Sequence, residues 1–96
     1  MIKAIDILGF KFAIILNEDI VRRGREGECD IEREAITLNP KLTKRGMADT
    51  LLHEILHAIN EIGLNDENKL TELQITYLGA VLSEVFGRNP KLMECF

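Results

Sequence analysis

The stretch His53-Glu54-Ile55-Leu56-His57 constrains this chain more than any other, and it holds both histidines of its 96 residues. Residues i and i+4 of an α-helix sit about 40° apart around the axis, with Cβ atoms roughly 5–6 Å apart. Two imidazoles so placed can close on one Zn2+ through Zn–N bonds of about 2.0–2.1 Å. Glu54, one step round the helix, is then the natural general base for a water activated by that ion. On a helix that is polar all round, such a pair is as readily a coincidence of solvated residues. The flanks set this pair apart. Met47, Leu51, Leu52, Ile55, Leu56, Ile59 and Ile62 recur at helical spacing and form a broad apolar face. Thr50, His53, His57 and Glu61 form a separate stripe of the same helix. The pair is therefore expected on a rigid element packed against a core.

The region before this helix reads as β. Ile2 to Ile7 and Phe10 to Leu16 are rich in Ile and Phe, and Gly9 between them is a turn residue. Phe10, Phe12, Ile14 and Leu16 share one face of the second run. Asn17-Glu18-Asp19 ends it, and Ile20 to Arg23 form a short helical turn. Further strands are expected over Glu28 to Glu32 and Ala35 to Leu38, the last stopped by Asn39-Pro40. Thr43 is the expected N-cap of the histidine helix, which runs to Ile62, with Gly63 at the left-handed C′ position. Asn65 or Asp66 caps a second helix from Glu67 to Phe86, closed by Gly87 and Pro90. Its apolar stripe is Leu70, Leu73, Tyr77, Val81 and Leu82, widened by Leu78 and Val85. The short link between the helices predicts antiparallel packing. The expectation is one α+β domain over residues 1–96: an N-terminal antiparallel sheet of three to four strands, packed on two antiparallel helices that carry the site.

Composition narrows the function. An apolar content of 46% with 29% charged residues is that of a soluble globular protein. A net charge of −4 gives no basic footprint for nucleic acid. No apolar run has the length of a membrane span. Lys3, Asp6 and Lys11 interrupt the apolar N-terminus and no small-residue cleavage site follows, so no signal peptide is read and a cytoplasmic location is expected. Cys29 and Cys95 are then expected as free thiols, with a thiolate metal ligand the lesser alternative. Arg22, Arg23 and Arg25 read as a solvated loop.

Catalytic zinc sites use three protein ligands and keep one open position. No third histidine exists here, so a carboxylate or a thiolate must complete the set. The extended metzincin pattern is excluded, because Asn60 and Gly63 stand where it needs Gly and His. Glu72 is the leading candidate: an antiparallel hairpin returns the start of the second helix to the His53/His57 stripe. Glu61, Asp66, Glu67 and Glu84 compete with it. Glu61 lies one turn past His57, but one straight helix wraps three ligands around an ion poorly. It reads better as a hydrogen-bond partner for an imidazole N–H.

Leu51 to Ile59, followed by Glu72-Leu73-Gln74-Ile75-Thr76-Tyr77-Leu78-Gly79, resembles the minimal HExxH metallopeptidases of phage and prophage genomes, which are similar to the ImmA/IrrE-type gluzincin-like proteases. The resemblance covers roughly residues 26–86. It implies Glu72 as third ligand, in an E-x-x-A-x-x-F-A-like setting that Glu72-x-x-Ile75-x-x-Leu78-Gly79 follows in spacing. It also favours the strand just before the active-site helix as the free edge of the sheet. The expectation is then one Zn2+ per chain on His53, His57 and Glu72, with Glu54 as general base. The substrate is a peptide or protein, extended along a strand edge, with no nucleic-acid or membrane partner. A group to hold the oxyanion is unassigned. Tyr77 reads as core, and Arg22, Arg23 and Arg25 are the alternatives. The competing expectation is a zinc-stabilised, non-catalytic interaction or regulatory protein. Oligomeric state is open.

Overall fold

A computed structural model describes residues 2–96. Its strands are β1 (Ala4–Ile7), β2 (Phe10–Leu16), β3 (Gly27–Asp30) and β4 (Ala35–Leu38), and its helices are α1 (Asp19–Arg22), α2 (Lys44–Gly63) and α3 (Glu72–Arg88). The fold is α+β, with the sheet at the N-terminus and the two long helices after it.

The β1–β2 register pairs Ile7 with Phe10, so Leu8-Gly9 forms a two-residue turn. Both residues have positive φ, 52° and 88°, as a type I′ hairpin demands. Period-2 alternation then sends Ile5, Ile7, Phe12 and Ile14 to one face, where Ile36 and Leu38 of β4 join them. Phe12, Ile36 and Leu38 are fully buried there beneath Ala58 of α2, and Met47, Leu51, Ile55, Ile59 and Ile62 close over them.

The sheet order is β1-β2-β4-β3, and β2 pairs with β4 in parallel. The sheet is therefore mixed, which corrects the antiparallel expectation. The β3–β4 hairpin docks through β4 rather than β3 because Ile36 and Leu38 are the apolar pair that a central strand needs. β3 carries Glu28 and Asp30 and takes the edge. The strand next before α2 is thus internal, and the free edge beside the helix is β3 instead.

Thr43 caps α2, its side chain accepting from the Gly46 N–H at 3.0 Å. Gly63 does not take the expected left-handed position. It is the last helical residue, and Leu64 leaves the helix in extended conformation (φ −115°, ψ 138°). A Cβ on Gly63 would stand 2.8 Å from Leu8 Cδ1. The exposed Leu8 side chain of the hairpin turn lies against the helix end there and would have to swing aside for a larger residue.

The second helix also begins later than expected. Asn65 caps only a 3-10 turn, Asp66–Asn68. Thr71 and Gln74 then form a reciprocal capping box, which makes Glu72 the first residue of α3. Asn60 contacts Leu70, His57 contacts Glu72, and a Cβ on Gly79 would touch the His53 backbone, so the helices run antiparallel.

The face α3 turns to α2 is Ile75, Gly79 and Ser83. Leu73 and Tyr77, expected in the core, are 79% and 66% exposed, and Val81 and Val85 also lie open. The backbones approach too closely for large side chains: a Cβ on Gly79 would lie 3.3 Å from His53 Cα and N. Among the described residues no helix is long and apolar enough to cross a membrane. Phe12→Ala should destabilise the fold by about 3–5 kcal/mol, read from the urea midpoint at unchanged m-value.

Candidate metal centre

Two turns of α2 and the first residue of α3 bring three donors together. His53 Nε2 lies 3.0 Å from one Glu72 carboxylate oxygen, and His57 Nε2 lies 3.0 Å from the other. The two Nε2 atoms are 3.1 Å apart. Donors around a tetrahedral ion with bonds of about 2.0–2.1 Å stand about 3.3 Å from one another. The observed spacing is within a few tenths of an ångström of that. Two imidazole nitrogens and one carboxylate are also the donor set of a catalytic zinc site, with a fourth position left to solvent. The residues therefore fit a divalent ion such as zinc.

The two carboxylates of the cluster live in opposite surroundings. Glu72 is 65% exposed. Glu54 is 6% exposed, and its carboxyl is pushed up to about 7. Burial is the main cause; the negative charges of Glu72 and Glu28 add to it, and Arg25 opposes it. A pKa near neutrality suits a group that must take up and release a proton.

Glu54 lies directly under the edge strand. A Cβ on Gly27 would stand 2.5 Å from Thr50 Cγ2 and 3.2 Å from Glu54 Oε2. Only glycine allows β3 to come this low over α2. Beside Glu54 and the imidazoles a cleft of about 640 Å³ opens, bounded by Arg25 to Gly27, by Asp49 and Thr50, and by Thr76 and Ala80.

Asn60 fixes where α3 starts. It is buried, its Oδ1 accepts from the Leu70 N–H at 2.8 Å, and its Nδ2 donates to the Leu70 carbonyl at 3.2 Å. Lys69 Nζ donates to the Asn60 carbonyl at 3.1 Å and pairs with Glu61 at 3.5 Å. The backbone two residues before Glu72 is thereby tied to α2 one turn past His57. Sequence reasoning missed Asn60, Gly27 and Gly79. Asn60 falls at the border between the apolar face of α2 and the His53 stripe, so helical period alone gave no signal that it is buried.

The rival ligands stand apart from the cluster. Glu61 pairs with Lys69, and Glu84 pairs with Arg88 at 3.0 Å. Asp66 and Glu67 sit exposed in the 3-10 turn. Cys29 is half-buried with its thiol pushed up to about 11, by burial first and then by Glu54, Asp30 and Glu61, so it is a thiol at neutral pH. Cys95 is exposed in the C-terminal turn. Tyr77 does not line the cleft, whereas Arg25 does. Comparison with protein-family models, with curated proteins and with solved structures returns no match.

Two outcomes follow from this geometry. Asn60→Ala should cost about 1–3 kcal/mol of stability and weaken zinc binding, because both backbone groups of Leu70 lose their partner; Glu84→Ala should leave zinc affinity unchanged. Calorimetric zinc titration compares them. The second concerns Glu54, whose folded pKa of about 7 exceeds the ordinary 4.5. Its contribution to stability is complete below about 4.5 and is lost as pH rises through about 7. Metal-free protein should therefore melt at progressively lower temperature across that interval, and Glu54→Gln should flatten the decline.

Proposed function

We propose that the protein is a small zinc-dependent peptidase of the minimal HExxH type, akin to the ImmA/IrrE-type group, acting on peptide or protein substrates in the cytoplasm. The observation that carries this reading is the placement of a buried carboxyl, Glu54, between a three-donor cluster and a free strand edge. His53, His57 and Glu72 would hold one Zn2+ per chain. When bound, the ion supplies Lewis acidity, polarising a carbonyl and making water more acidic.

Glu54 takes the proton of the attacking water on a carboxylate oxygen and later returns it to the leaving amine nitrogen. The edge of β3 supports a peptide as the substrate. Asn39 N–H donates to the Glu26 carbonyl at 2.8 Å, which fixes the alternation of the β3–β4 ladder. Glu28 and Asp30 direct their backbone groups to β4, while Gly27 and Cys29 direct theirs to the open side. An extended peptide can add there as a further strand, its backbone passing over Glu54.

A second reading draws on the uncovered Leu73 and Tyr77 of α3. Exposed apolar side chains of this size suit a zinc-stabilised protein that binds a partner without hydrolysis. Glu54→Gln separates the two. The wild type purified without chelator should contain about one zinc per chain and cleave a quenched-fluorescent peptide pool. Glu54→Gln should keep the zinc and lose turnover by about 10²–10⁴-fold. Glu72→Ala should lose the zinc. A wild-type protein with zinc and no cleavage, equal to Glu54→Gln in every assay, would leave the interaction protein as the surviving reading.

A further inference from the structure

Two cavities flank the candidate centre. The cleft of about 640 Å³ extends towards Thr76 and Ala80, and a smaller one of about 210 Å³ extends towards Cys29 and Ile31. Arg25, Glu54 and His57 line both. Arg25 thus stands where the two meet, on the strand side of the catalytic carboxyl. It is the only lysine or arginine in either lining.

Its state differs from that of its neighbours. Arg23 is paired with Glu28 at 3.1 Å, and Arg22 lies 4.0 Å from Asp19. Arg25 makes no ion pair among the described residues. Arg25 is exposed, and its main chain is held in place beside the cleft. Its N–H donates to the carbonyl of Ile20 at 3.1 Å, and Ile20 is fully buried. Gly24, at φ +72°, turns the chain back to allow that bond. A guanidinium offers five N–H donors in a planar fork, and among the described residues no carboxylate is paired with it, although its charge is felt at Glu54.

Hydrolysis of an amide needs such a group. As water adds to the carbonyl carbon, the C=O π pair moves onto the oxygen, and fixed donors aimed at that oxygen lower the barrier. When the pair returns, the C–N bond breaks and the nitrogen leaves with the proton that Glu54 took from the water. Neither histidine is free to serve, and Tyr77 lies outside both cavities. We infer that Arg25 is a catalytic residue, donating to the carbonyl oxygen of the scissile bond as negative charge develops on it. The inference rests on the peptidase reading and adds the residue that reading lacked.

The test uses the zinc-loaded full chain and two inhibitors carrying the same Phe-Ala side chains. One is a phosphinate, whose tetrahedral centre presents two oxygens sharing one negative charge; the other is a planar hydroxamate. Zinc content, and affinity for both by calorimetry, are measured for wild type, Arg25→Lys and Arg25→Met. Arg25→Met should weaken the phosphinate about tenfold or more and the hydroxamate by no more than roughly twofold, at unchanged zinc content, with Arg25→Lys intermediate. Equal loss for both inhibitors, or no loss for either, overturns the role of Arg25 and leaves the peptidase reading standing. Failure of the wild type to bind either inhibitor overturns the peptidase reading and the inference together.

Discussion

The close crossing of α2 and α3 is the constraint on which the rest depends. Gly79 lets the α3 backbone come against His53, and the twofold hydrogen bond of Asn60 to Leu70 sets where that helix begins. With both fixed, the first residue of α3 falls opposite the two imidazoles. A Cβ at 79 would meet the His53 backbone at 3.3 Å, so the crossing would have to open by a few tenths of an ångström. The third donor is therefore placed by the Thr71 capping box and the Asn60 tie beside it together with the packing farther along the helix.

On the other side of α2 a second glycine does the corresponding work. Gly27 lowers β3 onto Thr50 and Glu54 and shuts water away from the Glu54 carboxyl. The two glutamates of the centre are chemically the same and differ only in their surroundings. Glu72 is open to solvent at the start of a helix. Glu54 is enclosed, so the charged form is disfavoured and the proton stays within reach at neutral pH.

Much of this was legible in the chain. The β2 and β4 boundaries, the Thr43 cap and the helical arc that carries His53 and His57 follow from alternation, capping chemistry and helical period. Glu72 could be singled out because an antiparallel hairpin leaves few other carboxylates near that arc. The parts that were not legible have tertiary causes. Gly63 looks like a helix terminator but answers to Leu8, a residue more than fifty positions away. The apolar residues of α3 suggested a buried stripe through Leu73 and Tyr77, yet the fully buried positions are Ile75, Gly79 and Ser83, with Leu70, Leu78 and Leu82 half-buried. The parallel pairing of β2 with β4 was hidden because strand order depends on which strand of a hairpin is the more apolar, a comparison between elements.

One feature of the packing bears on how the molecule comes apart. β1, β2, β4 and α2 share a single core, whereas α3 packs chiefly on α2 and turns Leu73 and Tyr77 outward. An element packed on one side only is where local opening is expected, with the sheet and α2 still folded. An ion held by His53, His57 and Glu72 spans the joint between α2 and α3 and acts as a cross-link. Amide exchange in α3 then reports metal occupancy directly: fast and independent of global unfolding when the joint is unbridged, and tied to the whole domain when it is bridged.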